Sequence, residues 1–406
     1  EASNGAEFVS AVNEITGSPV QLLTGREEAQ YAAFGIHAGF YAPEGIAGDL
    51  GGGSTELIAI NGGEENGTTT PLGSLRLQQL SSGDLAAARK IAEKTIQATN
   101  VQWPGKSRRF YAIGGTWRSL ARLFIMETGH PLEVTHGYVA DAKKYLTFCN
   151  QVAEGDLDKF EYIDNISKNR RGLLPYGAIV MAELIDHLQV DSIATSAVGL
   201  REGYLYSLLD EETRSRDALL EATSELSLMR ARSPRHSREL GRWTDKAFKL
   251  ITPQETQKQR RWRLAACNLA DIAWRSASDY RAEQTLGIIN NAGFNSISHE
   301  GRAYLALVTF HRYQGLGPKK EPPSLTSLAS EEDSKLARML AAWFRVLYLF
   351  SAAEEGILKT IELTREAGGL VLMVPKDLAH LVGEKTEQRI DHLSRELGEP
   401  VKISVA

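Results

Sequence analysis

The densest chemistry in the sequence lies at Asp49-Leu50-Gly51-Gly52-Gly53-Ser54-Thr55-Glu56. An acid ends an apolar run, and three glycines, two hydroxyls and a second acid follow. Glycine lets the backbone N–H approach an anion closely and opens φ > 0. Successive N–H groups can form an anion-binding nest, and Ser54 and Thr55 can add hydroxyl donors. Asp49 could hold a metal through water or orient a nucleophilic water. Three glycines alone are equally a β-turn that binds nothing; the flanking acids and hydroxyls tilt the reading towards phosphate. A second turn, Ile113-Gly114-Gly115-Thr116, ends an apolar run and opens a helical one. Free N–H groups at a helix N-terminus attract anions. Arg118 falls in the first turn of that helix, where the dipole disfavours a cation, and an anion held there would account for it. A tight turn capped by Thr116 is the plainer alternative.

These residues need elements to hold them. Gly45 to Asp49 and Thr55 to Asn61 read as the two strands of a hairpin. Pro19 to Leu23 reads as a short buried strand. Glu27 to Phe34 reads as a helix with Glu27 and Glu28 in its first turn, where the dipole favours acids. Gly62 to Gly67 is a loop, and Leu72 to Leu80 a strand in which Leu75-Arg76-Leu77 alternates. Helices follow at Leu85 to Thr99, Trp117 to Thr128, Tyr176 to Leu188 and Leu200 to Leu209, with strands at Phe110 to Gly114 and Ser192 to Ser196. This alternation describes an α/β domain. From about Asp210 to Val346 the apolar spacing is helical, as at Leu336, Met339, Leu340, Trp343 and Leu347. A loop at Gly315 to Pro323 interrupts it. The end reads as a hairpin, Ile357 to Arg365 with Gly369 to Val374, then a helix from Lys376 to Leu397 and a strand from Val401 to Val405.

The 406 residues carry a net charge of −5, 42% apolar and 24% charged residues. That is ordinary for a globular protein and excludes disorder, collagen and a disulfide scaffold. No run approaches the ~18 apolar residues of a membrane span. Cys149 and Cys267 are too few for a disulfide framework and fit a reducing cytoplasm.

Five segments in order carry a resemblance. Thr24-Gly25-Arg26-Glu27-Glu28-Ala29, the Asp49 to Leu57 stretch, Leu72-Gly73-Ser74-Leu75-Arg76-Leu77, Gly114-Gly115-Thr116 and Gly199-Leu200-Arg201-Glu202-Gly203 resemble the exopolyphosphatase/guanosine pentaphosphate phosphohydrolase family. That family lies within the actin/hexokinase/heat-shock-protein ATPase superfamily. The resemblance implies an α/β actin-like (ribonuclease H-like) two-domain core with its first domain truncated. An all-α degenerate HD-like domain and a small α+β C-terminal domain would follow. The implied divisions are 1–32, 33–210, 211–347 and 348–406. A first phosphate hairpin of the type Asp-x-Gly-Ser-x-Ser is expected upstream of Glu1, so this chain alone is expected to be inactive.

The resemblance makes Glu28 the general base. It sets Asp49 and Glu56 beside Mg2+, directly or through water, and the attacking water. Gly51, Gly52, Gly53, Ser54 and Thr55 would hold the terminal phosphate, with Gly114, Gly115, Thr116 and Arg118 around it. Arg118 stands where many members have Lys, and the two cations are not equivalent. Arg201 would reach phosphate or pair with Glu202. In the helical domain the His of an HD metal pair is replaced by Ala270, leaving Asp271 alone, so no metal is expected there. The implied activity is cytoplasmic, Mg2+-dependent release of orthophosphate from inorganic polyphosphate, with guanosine pentaphosphate as a possible second substrate. A homodimer is implied, with no membrane or specific nucleic-acid partner. A sugar kinase or ATPase of the same superfamily is one rival, although Trp117 and Arg118 crowd the turn an adenosine would need. A non-catalytic sensor of guanosine tetraphosphate or polyphosphate, signalling through the helical domain, is the other.

One further feature bears on substrate. From Arg230 to Arg275 twelve Lys and Arg face four acids. A solvated helical face is the default reading. A polyanion nevertheless needs a positive track, and Arg260, Arg261 and Arg263 are the candidates to line a polyphosphate channel. RNA is the rival ligand, with Trp243 and Trp262 able to stack on bases or, at helical spacing, to sit in the core.

Overall fold

The computed structural model describes residues 4–60, 67–317 and 322–406. The chain divides into two compact units, one of Glu1–His37, Ala42–Ala121 and Ala140–Leu208 and one of Ala38–Tyr41, Arg122–Val139 and Leu209–Ala406. Among the described residues no helix is long and apolar enough to cross a membrane. Both cysteines are free and buried.

The first unit is built on strands β1 (Gly45–Leu50), β2 (Thr55–Ile60), β3 (Gly67–Thr70), β4 (Arg109–Ile113), β5 (Val139–Asp141) and β6 (Ser192–Thr195). They lie in the order β3-β2-β1-β4-β6-β5. Central β1 is buried throughout except at half-buried Asp49. A strand covered on both faces carries an unbroken apolar run rather than an alternating one, which explains Gly-Ile-Ala-Gly. β1 pairs antiparallel with β2 and parallel with β4, and β4 parallel with β6. The carboxyl ends of β1, β4 and β6 therefore emerge at one edge, where open α/β sheets bind their ligands.

The helices of this unit are α1 (Gly5–Thr16), α2 (Gly25–Gly39), α3 (Ser74–Leu80), α4 (Leu85–Gln97), α5 (Gly115–Glu127), α6 (Ala142–Ala153), α7 (Lys168–Arg171), α8 (Leu174–Leu188) and α9 (Leu200–Ser207). Helix α2 opens on a reciprocal cap. Thr24 N–H donates to Glu27 Oε2 at 2.7 Å, and Glu27 N–H to Thr24 Oγ1 at 3.3 Å. Such a box satisfies two orphan donors and fixes the start. Helix α5 is anchored by Trp117, fully buried, whose indole N–H donates to the Gly177 carbonyl at 2.9 Å.

The second unit holds α10 (Glu211–Ser215), α11 (Ala218–Arg230), α12 (Pro234–Ile251), α13 (Gln257–Leu269), α14 (Arg281–Asn291), α15 (His299–Gln314), α16 (Pro323–Thr326), α17 (Glu331–Ser351) and α18 (Glu384–Leu397). A small sheet of β7 (Glu362–Glu366), β8 (Gly369–Val374) and β9 (Val401–Val405) accompanies them, with β7 antiparallel and β9 parallel to β8. Its core centres on Trp243, Trp262 and Trp343. The two tryptophans offered for base stacking are 6% and 2% exposed, so they are core residues.

Several local expectations are corrected. Pro19 to Leu23 is not a buried strand; Leu22 is 71% exposed, and no strand lies between α1 and α2. Leu72 to Leu80 is not a strand either but leads into α3, with Leu77 buried while Leu75 and Leu80 are 49% and 54% exposed. Three alternating residues were too few to set the period, and the Ser74 and Arg76 N–H groups close on the Gly51 and Gly52 carbonyls at 3.1 and 3.0 Å. The expected helix from Lys376 splits into a 3-10 turn at Lys376–Leu381 and α18, parted at Gly383. The first strand of the final hairpin starts only at Glu362, after a 3-10 turn at Leu358–Thr360. Asn61, the expected loop after it as far as residue 66, and residues 318–321 of the Gly315 to Pro323 loop lie outside the described residues.

Candidate active site

The β1–β2 hairpin makes Asp49 and Glu56 direct cross-strand partners, and such partners present their side chains on one face. Burial pushes the Asp49 carboxyl up to about 6 from its ordinary 3.8; the negative charge of Glu28 adds to this, and Arg118 opposes it. Burial likewise pushes Glu56 up to about 7 from 4.5; a hydrogen bond from Ser54 opposes the shift, while Glu28 and Asp49 add to it. Glu56 is 5% exposed, and its buried Oε1 has no hydrogen-bond partner among the described residues. Glu28, one residue past the Glu27 cap, thus shares an electrostatic site with half-buried Asp49, buried Glu56 and a guanidinium.

This has a consequence for stability. Each folded-state value lies above the ordinary one, so between about pH 4 and 7 the folded state binds more protons than the unfolded, and stability falls as pH rises through that window. In metal-free protein Glu56→Gln should remove part of the slope. The variant is expected to be more stable than wild type at pH 8 by on the order of 1–3 kcal/mol and not at pH 5. Thermal melts at the two pH values check this; parallel curves for both proteins would contradict it.

The glycine turn is organised differently from the sequence expectation. Gly51 to Gly53 do not adopt φ > 0. Gly51 N–H donates to the Ser54 carbonyl at 2.9 Å, whereas the Gly52 and Gly53 N–H groups, at the exposed tip, make no hydrogen bond among the described residues. The hydroxyls are already engaged. Thr55, 1% exposed, donates to the Leu72 carbonyl at 3.0 Å, and Ser54 faces Glu56. The left-handed conformation occurs instead at Gly114, with φ +108°, where a Cβ would lie 2.4 Å from the Leu50 carbonyl oxygen. Only glycine fits there. That residue sets β4 against β1 and turns the chain into α5.

At this second turn Gly115 and Thr116 open α5. Thr116 Oγ1 lies 3.4 Å from Ser74 Oγ, which ties the start of α5 to the start of α3. Arg118 is half-buried on the same helix. Two further residues belong here, of which the sequence reading passed over Arg170. Arg170, on α7, donates to the Gly115 carbonyl at 3.4 Å and Ser119 Oγ at 3.5 Å, so its guanidinium sits on the turn. A Cβ at Gly199 would lie 3.8 Å from Asp49 Oδ2, which places the N-cap of α9 against the acid. Arg201 is exposed and forms no ion pair among the described residues. Glu202 is instead spent on the cap, accepting from Gly199 N–H at 2.9 Å.

In the second unit the three arginines expected to line a basic track are already paired with carboxylates. Arg263, whose side chain is 1% exposed, pairs with Glu255 at 2.7 Å and Asp245 at 2.9 Å. Arg261, 7% exposed, pairs with Asp217 and stacks on Tyr41 at 3.6 Å. Arg260 is half-exposed and pairs with Asp245 at 2.7 Å. All three are held by carboxylates of the same unit, and for buried Arg261 and Arg263 breaking the pair costs about 3–5 kcal/mol. Asp271 is a similar hub: 2% exposed, it accepts from Arg232 at 2.7 and 2.9 Å and from Arg312 at 2.9 Å.

Residues 1–212 match the model of the Ppx/GppA phosphatase family, and residues 219–403 the model described as exopolyphosphatase, C-terminal. Among curated proteins, Retrograde regulation protein 2 of Saccharomyces cerevisiae is 25% identical over 382 residues, covering 85% of this chain and 63% of its own length. Guanosine-5'-triphosphate,3'-diphosphate pyrophosphatase of Vibrio campbellii is 26% identical over 226 residues, covering 52% of this chain and 43% of its own length. The chain thus spans less than two thirds of these relatives. Among solved structures, the Aquifex aeolicus Ppx/GppA family member superposes with a TM-score of 0.42 at 21% identity, covering 53% of this chain and 72% of that one. An exopolyphosphatase from Cytophaga hutchinsonii gives 0.40 at 16% identity, over 51% and 70%.

Proposed function

This chain belongs to the Ppx/GppA phosphatase family, and from that premise we propose that its first unit supplies a phosphoanhydride hydrolase site, one that releases orthophosphate from the end of inorganic polyphosphate, with guanosine pentaphosphate as a second substrate. The observation that carries the reading is the cluster of Glu28, Asp49, Glu56 and Arg118 at the carboxyl edge of the sheet, in which the Asp49 and Glu56 carboxyls are raised by burial and by neighbouring negative charge.

In this reading the Gly52, Gly53 and α5 N-terminal N–H groups bind the terminal phosphate. Glu28 accepts a proton from a water whose oxygen attacks the terminal phosphorus, while the bond from that phosphorus to the bridging oxygen breaks. Arg118 takes up charge growing on the transferring phosphoryl group, a stabilisation made in place and without reorganisation. Arg170 holds the Gly115 turn in position. The donor set fits a hard divalent cation: half-buried Asp49 and buried Glu56 repel one another, and Glu56 Oε1 has no hydrogen-bond partner among the described residues. Asp49 and Glu56 would hold Mg2+, directly or through water, and Mg2+ there would neutralise phosphate charge.

The test is orthophosphate release by the protein that carries this chain, with Mg2+ and long-chain polyphosphate. Arg118→Ala is expected to lower kcat about 100-fold, as loss of one transition-state donor does, with KM changed far less. An unchanged kcat would remove Arg118 from the mechanism. A second reading, a non-catalytic sensor of polyphosphate or an alarmone, is favoured by one observation. The relative that covers 85% of the chain carries the name of a regulatory protein. Tight substrate binding without orthophosphate release is what that reading expects.

A further inference from the structure

A cavity of about 440 Å3 opens in the second unit between α12, the 3-10 turn at Leu358–Thr360 and β7. That volume lies in the range of small-molecule sites, about 300–1,000 Å3. It is more than a lone phosphate needs and too little for a docked protein segment. Its floor is apolar. Trp243 and Leu358 are buried beneath it, and the indole is fixed because its N–H donates to the Ile361 carbonyl at 2.9 Å. Around the rim stand Arg242, Lys246 and Lys359, all exposed. Arg242 and Lys246 are one turn apart on α12 and share a face.

None of the three has a carboxylate partner among the described residues. This sets them apart from Arg260, Arg261 and Arg263, which are all ion-paired. Two acids also line the cavity. Both Glu239 oxygens already accept from the Gly356 N–H, at 2.9 and 2.8 Å, and Glu362 lies exposed at the start of β7. The site therefore combines a rigid apolar floor with unpaired cations on one side.

We propose that this cavity binds a nucleoside diphosphate. The base and ribose would cover Trp243 and Leu358, and the diphosphate would meet Arg242, Lys246 and Lys359. The guanidinium gives planar, two-point recognition of a phosphate, and the ammonium groups act as point charges. A purely inorganic polyanion would use the cations and make no contact with the apolar floor. A fatty acid would use the floor but only one cation. None of the cavity residues belongs to the set proposed for phosphate release, so the two readings stand or fall separately.

The test is calorimetric titration of the protein carrying this chain with ADP, and separately with inorganic pyrophosphate, at low salt. It is repeated on the Arg242→Ala/Lys246→Ala/Lys359→Ala variant, whose altered side chains are all exposed. ADP is expected to bind, pyrophosphate to bind at least about tenfold more weakly, and the variant to lose at least about tenfold in ADP affinity while its orthophosphate release stays at the wild-type rate. Three results would each overturn the proposal: no ADP binding, equal affinity for pyrophosphate, or undiminished ADP affinity in the variant.

Discussion

Replacing Glu28 by Gln is expected to lower orthophosphate release by about 10²–10⁴-fold, the range that a positioned general base contributes. Gln keeps the shape and size of the side chain but accepts no proton from water at neutral pH. Glu28 is the acid whose charge is felt at both Asp49 and Glu56, so it stands over the region where an attacking water would be held. Substrate affinity should change little, because the N–H groups proposed to bind phosphate belong to other elements. The adjacent Glu27 is the internal control. Its carboxylate is committed to the Thr24 N–H and hydroxyl, at 2.7 and 2.9 Å, and those bonds hold it below the usual carboxylate range. Glu27→Gln should leave most of the rate. A wild-type rate in Glu28→Gln, or an equal loss in both variants, would remove the general-base assignment.

Gly203→Ala is expected to destabilise the first unit by about 3 kcal/mol, the upper part of the usual range for overpacking, and to reduce activity with it. A Cβ at Gly203 would lie 1.7 Å from the Tyr31 carbonyl oxygen and 2.6 Å from the Gly35 N, both backbone atoms of α2. Backbone cannot swing aside as a flexible side chain can. Gly35 in turn approaches the Gly199 carbonyl, with 2.5 Å available to a Cβ, and the Tyr31 and Tyr204 rings meet edge-on at 5.2 Å. These glycines dock the helix that carries Glu28 onto α9, whose N-cap lies against Asp49. Forcing the two helices apart moves the base relative to the acids. Urea unfolding should show a lower midpoint at an unchanged m value. Gly287, exposed within α14 with nothing near its missing Cβ, is the contrast. Ala there should gain up to about 1 kcal/mol, the helix-propensity difference alone. Equal stability of Gly203→Ala and wild type would mean that the close helix contact does not hold in solution.

The elements legible in the sequence were those set by local pattern. The hairpin from Gly45 to Ile60, the turn at Gly114 and the helices flanking the parallel strands follow from apolar runs bounded by glycine and polar residues. Leu72 to Leu80 failed because its period is decided by where its first N–H groups go, and they go to the Gly51 and Gly52 carbonyls, which sequence spacing does not reveal. In the site, the resemblance set Asp49 and Glu56 together, and the hairpin pairs them directly. Glu28 alone is indistinguishable from an ordinary dipole-stabilising acid without the family resemblance. Arg170 left no signal, since nothing in Lys168-Asn169-Arg170-Arg171 separates the residue that reaches Gly115 from Arg171, which pairs with Asp164 at 2.9 Å. The basic segment misled in the opposite direction. A charge count cannot see that Asp217, outside the window, and Asp245 and Glu255, within it, hold the very arginines that seemed available. The glycine run was overread as well. It supplies an exposed tip with free N–H groups, while the conformation only glycine tolerates belongs to Gly114.

The most direct measurement of the central claim is a Mg2+-dependent orthophosphate-release assay on the protein that carries this chain. Long-chain polyphosphate and guanosine pentaphosphate are run side by side, with Glu28→Gln as the paired control. Release from polyphosphate that disappears in the variant, with binding retained, is the predicted result. Binding of either substrate with no release by the wild-type protein would contradict it and leave the first unit a sensor.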